Sequence, residues 1–105
     1  MSRRTPHLSA PALRVLSLML SEPTEGFYGL DLMDRCQIKS GTLYPLLARY
    51  AEAGWLEAEQ EQIDASAAGR PRRTYYRLTA EGATGAREAL AAITPAPRSV
   101  GLVMP

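Results

Sequence analysis

One segment of the chain, residues 39–55, constrains the fold more than any other, because its apolar residues keep a strict helical period. They recur at spacings of three and four residues, which places them on one face of an α-helix: Leu43, Leu46, Leu47 and Tyr50. The opposite face carries residues that a protein core does not need: Ser40, Thr42, Tyr44, Arg49 and Glu52. A helix with a polar N-terminal face and an apolar back suits the DNA major groove. An ordinary amphipathic helix would show the same period, so the neighbouring segments decide between the two.

The two ends of this helix are also marked in the sequence. Ser40 is a candidate N-cap, and Gly54 can end the helix in the left-handed conformation. Pro45 conflicts with a start at Ser40, because proline lacks the amide that would bond to Gly41. The sequence therefore leaves open whether the helix starts at Ser40 or slips to Thr42.

A short helix and a tight turn precede this segment. The helix is predicted from Tyr28-Gly29 through about Cys36, and Gln37 to Lys39 forms a three-residue turn. The residues predicted to face inward from this short helix are Leu30 and Met33, with Leu32 as a further candidate. A short helix, a tight turn and a polar-faced second helix make a helix-turn-helix, which favours the DNA-reading interpretation.

Two further helices flank this motif. The first is predicted from the N-cap Ser9, with Pro11 in its first turn, to about Glu22. The last is predicted from the N-cap Thr79 to Thr94. Their apolar faces carry Leu13, Leu16, Met19 and Leu20 in the first helix, and Ala86, Ala89, Leu90 and Ile93 in the last.

Residues 55–60 and 72–78 are predicted to be two strands, joined by a loop rich in alanine, serine and glycine at residues 63–70. A hairpin that follows a helix-turn-helix is a wing. The charges of this wing are segregated, with acidic residues on the outgoing strand and basic residues on the tip and the returning strand: Glu57, Glu59 and Glu61, then Arg70, Arg72, Arg73 and Arg77. We therefore expect an α+β, mostly helical winged helix-turn-helix over residues 1–94, followed by a flexible tail at residues 95–105.

Five blocks of residues carry a resemblance to a known family. They are Tyr-Gly-Leu-Asp-Leu at residues 28–32, Ser-Gly-Thr-Leu-Tyr-Pro-Leu-Leu at 40–47, Gly-Trp-Leu at 54–56, Gly-Arg-Pro-Arg-Arg-Thr-Tyr-Tyr-Arg-Leu-Thr at 69–79, and Glu-Gly at 81–82. In this order the blocks resemble the PadR family of bacterial winged-helix transcription regulators. The resemblance implies a homodimeric DNA-binding protein, usually a repressor of neighbouring genes. It also implies that the helix after the turn enters the major groove and that the wing reaches the adjacent minor groove.

The chain departs from this family pattern after Thr79. Many relatives carry a long C-terminal helical region that forms the dimer and helps to enclose an effector. Here the corresponding helix is short and its apolar face is mostly alanine. A ligand cleft usually needs bulky apolar walls, so we expect any response to a small-molecule effector to be weak or absent.

Eight polar residues are the candidate DNA contacts: Lys39, Ser40, Thr42, Tyr44 and Arg49 in the helix, and Arg70, Arg72 and Arg73 in the wing. Hydroxyl groups can bond to phosphates or base edges, and arginines at a hairpin tip are typical of minor-groove readers. For Ser40 a capping role is equally compatible with the pattern. For Arg49 a solvated surface charge is as good an interpretation as a phosphate contact.

A dimer is expected on physical grounds as well, because a chain of 105 residues covers its apolar surface only in part. The candidate dimer interface pairs the first and last helices through Leu13, Leu16, Leu20, Leu90 and Ile93. Trp55 is interpreted as core rather than as an aromatic plate for an effector. Cys36 is interpreted as a small buried hydrophobe rather than as a redox switch.

The composition excludes several other classes. One Cys and one His cannot build a disulfide framework or a zinc site, and we expect no cofactor and no metal. No nucleophile with a base and no phosphate loop occurs, so we expect no enzyme. No apolar run reaches membrane-spanning length, and we expect a protein of the bacterial cytoplasm that associates with the nucleoid when it is bound to DNA. The net charge of +1 leaves a rival interpretation open, a winged-helix adaptor or anti-repressor that binds protein.

Overall fold

The computed structural model describes residues 8–22 and 26–93. Within these ranges the chain forms helices and strands in the order α1 (Ala10–Ser21), β1 (Phe27–Tyr28), α2 (Gly29–Cys36), α3 (Ser40–Glu52), β2 (Leu56–Gln60), α4 (Ala65–Ala68), β3 (Thr74–Leu78) and α5 (Ala80–Ile93). This order confirms the predicted mostly helical α+β architecture. The predicted tail at residues 95–105 and the predicted end of the last helix at Thr94 lie outside the described residues.

The first and last helices begin where the sequence predicts. The Ser9 side chain accepts a hydrogen bond from the Ala12 amide at 3.3 Å, and the Thr79 hydroxyl accepts one from the Gly82 amide at 2.9 Å. Each of these bonds satisfies an amide of the first turn that has no partner inside the helix.

The start of α3 decides between the alternatives that the sequence leaves open. The helix begins at Ser40, and the N-cap is Lys39, which makes no capping hydrogen bond with its side chain. Ser40 is therefore not the cap, and the helix does not slip to Thr42. The Lys39 carbonyl accepts from the amides of Thr42 and Leu43 at 3.0 and 2.9 Å, which closes the first turn. Pro45 lies inside the helix. The carbonyl left without an amide partner belongs to Gly41, which is exposed to water.

The end of α3 confirms the role of Gly54, which adopts the left-handed conformation with φ 86°. The Gly54 amide donates to the Ala51 carbonyl at 3.0 Å, and the Trp55 amide donates to the Tyr50 carbonyl at 2.9 Å. These are the two bonds of a Schellman motif. The hydrophobic contact that accompanies the motif is the Tyr50–Trp55 pair, whose ring centroids are 5.5 Å apart.

The core joins all the larger elements. Its buried apolar residues are Ala12, Val15, Leu16, Met19, Phe27, Leu32, Cys36, Ile38, Leu43, Leu46, Leu47, Tyr50, Trp55, Leu56 and Ala86. The apolar face predicted for α3 is confirmed, and so is the core position of Trp55. The prediction for α2 is wrong in one respect. Leu32 is completely buried in the core, whereas Leu30 is 66% exposed and lies on a side of α2 that does not pack into the core.

The sheet contains one strand more than the predicted hairpin. Its order is β1-β3-β2, and both pairs are antiparallel. The extra strand pairs Phe27 with Tyr76 and Tyr28 with Tyr75, so it joins the start of the helix-turn-helix to the wing. Within the described residues, no helix is long and apolar enough to cross a membrane.

Candidate nucleic-acid interface

The N-terminal half of α3 presents a continuous polar surface. Lys39, Ser40 and Thr42 are all exposed, and Tyr44 is 43% exposed although its ring is large. Gly41 lies among them, and a Cβ added there would meet no atom within 4 Å. Because the opposite face of α3 is held in the core, this surface has a fixed orientation.

Tyr44 is seated against the start of α2. A Cβ added at Gly29 would overlap the Tyr44 hydroxyl and ring, so the absence of a side chain at residue 29 makes room for this tyrosine. Gly29 is buried and is the first residue of α2. One edge of the Tyr44 side chain therefore packs against α2, and the other edge is exposed to solvent.

The tip of the wing is an ordered structure rather than the plain loop predicted for residues 63–70. It contains the single helical turn α4, capped by the Asp64 carboxylate, which accepts from the amides of Ser66 at 3.0 Å and Ala67 at 3.4 Å. Gly69 ends the turn in the left-handed conformation with φ 73°. The chain then returns through residues 70–73 into β3.

Arg70 pairs with a carboxylate of the wing itself. Its Nη1 and Nη2 atoms donate to the two carboxylate oxygens of Glu61 at 2.8 and 3.0 Å, which is a bidentate ion pair. The hydrogen bonds from Arg70, followed by the Arg73 amide, lower the pKa of Glu61 to about 2. The same pair raises the pKa of Arg70. The sequence predicts a DNA contact for Arg70, but its guanidinium fork is occupied inside the wing.

The other two arginines of the tip have different partners from Arg70. The Arg72 Nε donates to the Ile63 carbonyl at 2.9 Å, and within the described residues Arg72 has no ion-pair partner. The Arg73 guanidinium lies 4.2 Å from the centre of the Tyr28 ring, in a cation–π contact. Neither guanidinium is therefore paired with a carboxylate from the part of the chain that the structure describes.

A cleft of about 340 Å³ joins the helix surface to the wing tip. Its walls come from α2, α3 and the wing, and they are Tyr28, Gly29, Leu30, Tyr44, Arg70, Pro71, Arg72, Arg73, Thr74 and Tyr76. Of the predicted DNA contacts, Tyr44 and the three arginines thus border one space. Lys39, Ser40 and Thr42 lie on the same helix as Tyr44, whereas Arg49 is exposed in the last turn of α3 and does not border the cleft.

The sequence interpretation missed the aromatic wall of this cleft. Tyr28 of β1 and Tyr76 of β3 line it, and the pairing of these two strands brings both tyrosines to the cleft that Tyr44 also borders. The Tyr-Gly pair at residues 28–29 predicts only a helix start, and a two-residue strand gives no periodic signal. Burial raises the pKa of Tyr76, with a smaller contribution in the same direction from Tyr44.

The outer face of the wing carries a separate set of charges. Arg77 pairs with Glu59 at 2.9 Å and with Glu57 at 3.5 Å, all three on the sheet face that looks away from the core. Arg77 is therefore ion-paired with carboxylates, and it does not line the cleft.

The predicted dimer residues differ in how much surface they offer. Ile93 is 56% exposed, and Leu13, Leu20 and Leu90 are half-buried. Leu16 has no exposed surface and lies in the core of the protomer, so its place in the interface is corrected. The spacing of the apolar residues in α1 does not distinguish a residue that faces α3 and α5 from one that faces solvent.

Cys36 lies in the core, as the sequence predicts, where it helps to join α1 to α2. Its sulfur donates to the Arg14 carbonyl at 3.8 Å, and Arg14 Nε donates to the Cys36 carbonyl at 3.0 Å. Burial raises the pKa of the Cys36 thiol, which opposes formation of the reactive thiolate. Among the described residues, no group of three or more His, Cys, Asp or Glu side chains is placed to hold a metal ion.

Comparison with known proteins agrees with this geometry. The model of the transcriptional regulator PadR-like family matches residues 15–88, which is more than half of the chain. The chain belongs to the PadR-like family. The family is one of transcriptional regulators rather than enzymes, and the chain has the winged helix-turn-helix fold that the sequence predicts.

Solved structures resemble this PadR-like chain over most of its length. A PadR family transcriptional regulator from Eggerthella lenta is 33% identical, with a TM-score of 0.60, and the match covers 76% of this chain and 74% of that one. The PcaV transcriptional regulator from Streptomyces coelicolor is 23% identical, with a TM-score of 0.68, over 83% of this chain and 58% of PcaV. MepR from S. aureus, solved as a complex with DNA, is 18% identical, with a TM-score of 0.62, over 81% of this chain and 63% of MepR.

The last two likenesses concern the fold alone. This chain spans little more than half the length of PcaV. No curated protein matches the chain.

Proposed function

We propose that this PadR-like protein binds double-stranded DNA as a homodimer and represses transcription by occupying an imperfectly palindromic operator. In this proposal the N-terminal face of α3 enters the major groove, and the wing tip reaches the adjacent minor groove. The observation that carries the proposal is the shared cleft, which is bordered by Tyr44 of α3 and by Arg72 and Arg73 of the wing. One surface thereby offers a groove-reading helix and two arginines that form no ion pair with a carboxylate of the described residues.

The helix supplies both kinds of contact that a DNA reader needs. Ser40 and Thr42 have exposed hydroxyl groups in the first turn, where they can bond to phosphates or base edges. Gly41 between them has open space where a side chain would be, so the backbone itself can come close to the DNA. In this proposal Lys39 and Arg49, at opposite ends of α3, contact phosphates on the two sides of the groove.

The wing supplies the electrostatic part of the binding. Arg72 and Arg73 approach the DNA beside α3, where a narrow minor groove concentrates negative potential. The low net charge of +1 does not oppose this, because the acidic residues Glu57 and Glu59 lie on the outer face of the wing with Arg77. Arg70 is left out of the DNA contacts, because Glu61 holds its guanidinium fork.

The dimer is proposed to form through α1 and α5. Ile93 exposes more than half of its side chain at the end of α5, and Leu13, Leu20 and Leu90 are only half-buried in the protomer. Burying these residues against a second copy removes apolar surface from water. A two-fold axis between the copies would direct the two α3 helices into successive major grooves, so that the half-sites lie about one helical turn apart.

The DNA contacts are tested with duplexes selected from a random pool by the wild-type protein. Thr42→Ala should change the preference among selected sites, because it removes a hydroxyl group that reads the groove. Arg72→Ala should weaken binding to selected and random duplexes alike. It should also reduce the slope of log affinity against log salt by about 0.9 for each phosphate that the arginine neutralises in the wild-type complex.

The matched control is Arg87→Ala, which removes an equal charge from the exposed face of α5, far along the chain from the cleft. It should leave the salt slope nearly unchanged. An Arg72→Ala protein with the affinity and the salt slope of the wild type would refute the wing contact. Failure of the wild type to enrich any sequence from the pool would refute sequence-specific binding altogether and would favour a protein-binding adaptor.

The dimer is tested by sedimentation of the wild type and of Ile93→Asp at micromolar concentration. The variant should sediment as a folded monomer with unchanged helix content, and its affinity for palindromic sites should fall more than its affinity for single half-sites. A wild type that sediments as a monomer would refute the proposed dimer.

A further inference from the structure

Glu61 differs from the other acidic residues of the wing in its surroundings. Its side chain is only 18% exposed, whereas those of Glu57 and Glu59 are 65% and 68% exposed. Its carboxylate accepts both terminal nitrogens of Arg70, and one of its oxygens also accepts the Arg73 amide at 3.1 Å. The backbone is paired as well, since the Glu61 amide donates to the Arg73 carbonyl at 2.8 Å.

These bonds fix the wing tip on both sides of Arg72. Arg70 is held through its side chain and Arg73 through its backbone, and both are held by the same carboxylate. The Arg72 side chain is then steadied by the Ile63 carbonyl. Without the Glu61 carboxylate, the Arg70 side chain and the Arg73 amide would lose the bonds that hold them, which would loosen the position of the tip arginines.

A simple charge argument predicts that Glu61 weakens DNA binding rather than supports it. A carboxylate near bound DNA repels the phosphates, so its removal should tighten binding. If Arg70 contacted DNA, removal of Glu61 would also release a guanidinium group for that contact. The two interpretations therefore predict opposite signs for one substitution.

We propose that Glu61 is a positioning residue for DNA binding, which holds Arg70 and the Arg73 backbone so that Arg72 and Arg73 face the minor groove in a fixed geometry. This inference rests on the proposed function. Arg70 is the structural partner of Glu61 and not a DNA contact. The low pKa of Glu61, about 2, agrees with this role because the carboxylate stays ionised at any pH near neutrality.

The test is the affinity of Glu61→Gln for a fluorescent random-sequence duplex and for a site selected by the wild type. The variant should bind both roughly three- to tenfold more weakly than the wild type, although it has lost a negative charge. Binding that is equal to that of the wild type, or tighter, would overturn the proposal. Glu61→Asp keeps the charge and shortens the reach, so it should lie between the wild type and Glu61→Gln, whereas an effect of charge alone would leave it unchanged.

The matched control is Glu59→Gln, two residues away on the same strand. This substitution removes the same charge and frees Arg77 from its 2.9 Å partner, but it does not touch the tip. Its affinity for DNA should equal that of the wild type or exceed it slightly. An equal loss of affinity in Glu59→Gln and Glu61→Gln would show a general weakening of the wing and would overturn the positioning role.

A measurement without DNA separates this inference from the proposed function. Amide exchange of the peptide that spans residues 62–73 should be faster in Glu61→Gln than in Glu59→Gln, while exchange in α3 should be unchanged in both. Unchanged exchange at the tip would overturn the inference even if DNA binding is intact. Faster exchange at the tip of Glu61→Gln, combined with a wild-type protein that fails to bind any duplex, would instead refute the proposed function and leave the ordering of the tip established.

Discussion

Replacing Gly82 with alanine should destabilise the protein, although the same change stabilises most helices. Gly82 is buried in the first turn of α5, and a Cβ there would overlap the carbonyl oxygen of Trp55. The obstacle is backbone, so no side chain can swing aside. The same turn is anchored by Thr79, whose hydroxyl donates to the Gly54 carbonyl at 2.7 Å and whose amide donates to the Trp55 carbonyl at 2.9 Å.

The magnitude follows from three opposing contributions. Alanine gains about 1 kcal/mol over glycine from helix propensity alone. Overfilling a packed site costs roughly 1–3 kcal/mol. The displacement of α5 would also weaken the cap and anchor bonds of Thr79, which contribute about 1 kcal/mol. We therefore expect Gly82→Ala to lose about 1–3 kcal/mol, which corresponds to a fall in Tm of roughly 5–15 °C for a chain of this size.

The assay is thermal unfolding followed by circular dichroism and by the fluorescence of Trp55, the single tryptophan of the chain. All variants are compared at one protein concentration, because a dimer makes Tm depend on concentration. The matched control is Gly41→Ala, where a Cβ meets open space and the helix gain should raise Tm slightly. A Gly82→Ala protein as stable as the wild type would refute the close contact between α5 and Trp55.

Three further outcomes are expected. Gly29→Ala should displace Tyr44, because the added Cβ overlaps its ring. The Tm should change little, while the preference among duplex sequences, measured by gel shift, should change. An unchanged preference would contradict a role of Tyr44 in reading DNA. Glu61 has a folded-state pKa of about 2, below its unfolded value of roughly 4.3. The ionised Glu61 therefore stabilises the fold fully at pH values above its unfolded pKa, and this stabilisation is lost as the pH falls towards its folded pKa. The difference in Tm between the wild type and Glu61→Gln should therefore shrink from about pH 5 to about pH 2, and a constant difference would contradict the assigned pKa. Cys36 should resist alkylation in the native protein and react on denaturation, as measured by mass spectrometry, and rapid native labelling would contradict its burial.

Local signals in the sequence were enough for most of the elements. The spacing of Leu43, Leu46, Leu47 and Tyr50 defines the buried face of α3 without any knowledge of its neighbours, because a helical period depends on backbone geometry alone. The same holds for the caps at Ser9 and Thr79 and for the stop at Gly54. Each of these residues bonds to amides or carbonyls within a few positions of itself.

The family resemblance also rested on sequence alone, and it implied that α3 enters the major groove and that the wing reaches the minor groove. The sequence did not reveal features that depend on contacts between distant segments. Strand β1 has two residues, too few for a period, and it exists because β3 offers a free edge that pairs with it. Leu30 and Leu32 have similar local surroundings, and only the packing of α2 against α1 and α3 buries the second and exposes the first.

The arginines of the wing show most clearly what depended on the tertiary structure. In the sequence Arg70, Arg72 and Arg73 are equivalent basic residues at a hairpin tip. In the folded chain, antiparallel pairing of β2 with β3 carries Glu61 beside two of them, and its carboxylate holds the Arg70 side chain and the Arg73 amide. All three border the cleft, but Arg70 is ion-paired with Glu61, whereas Arg72 and Arg73 form no ion pair with a described carboxylate. Residues that lie nine and twelve positions apart in the chain decide this difference, so no local pattern could have revealed it.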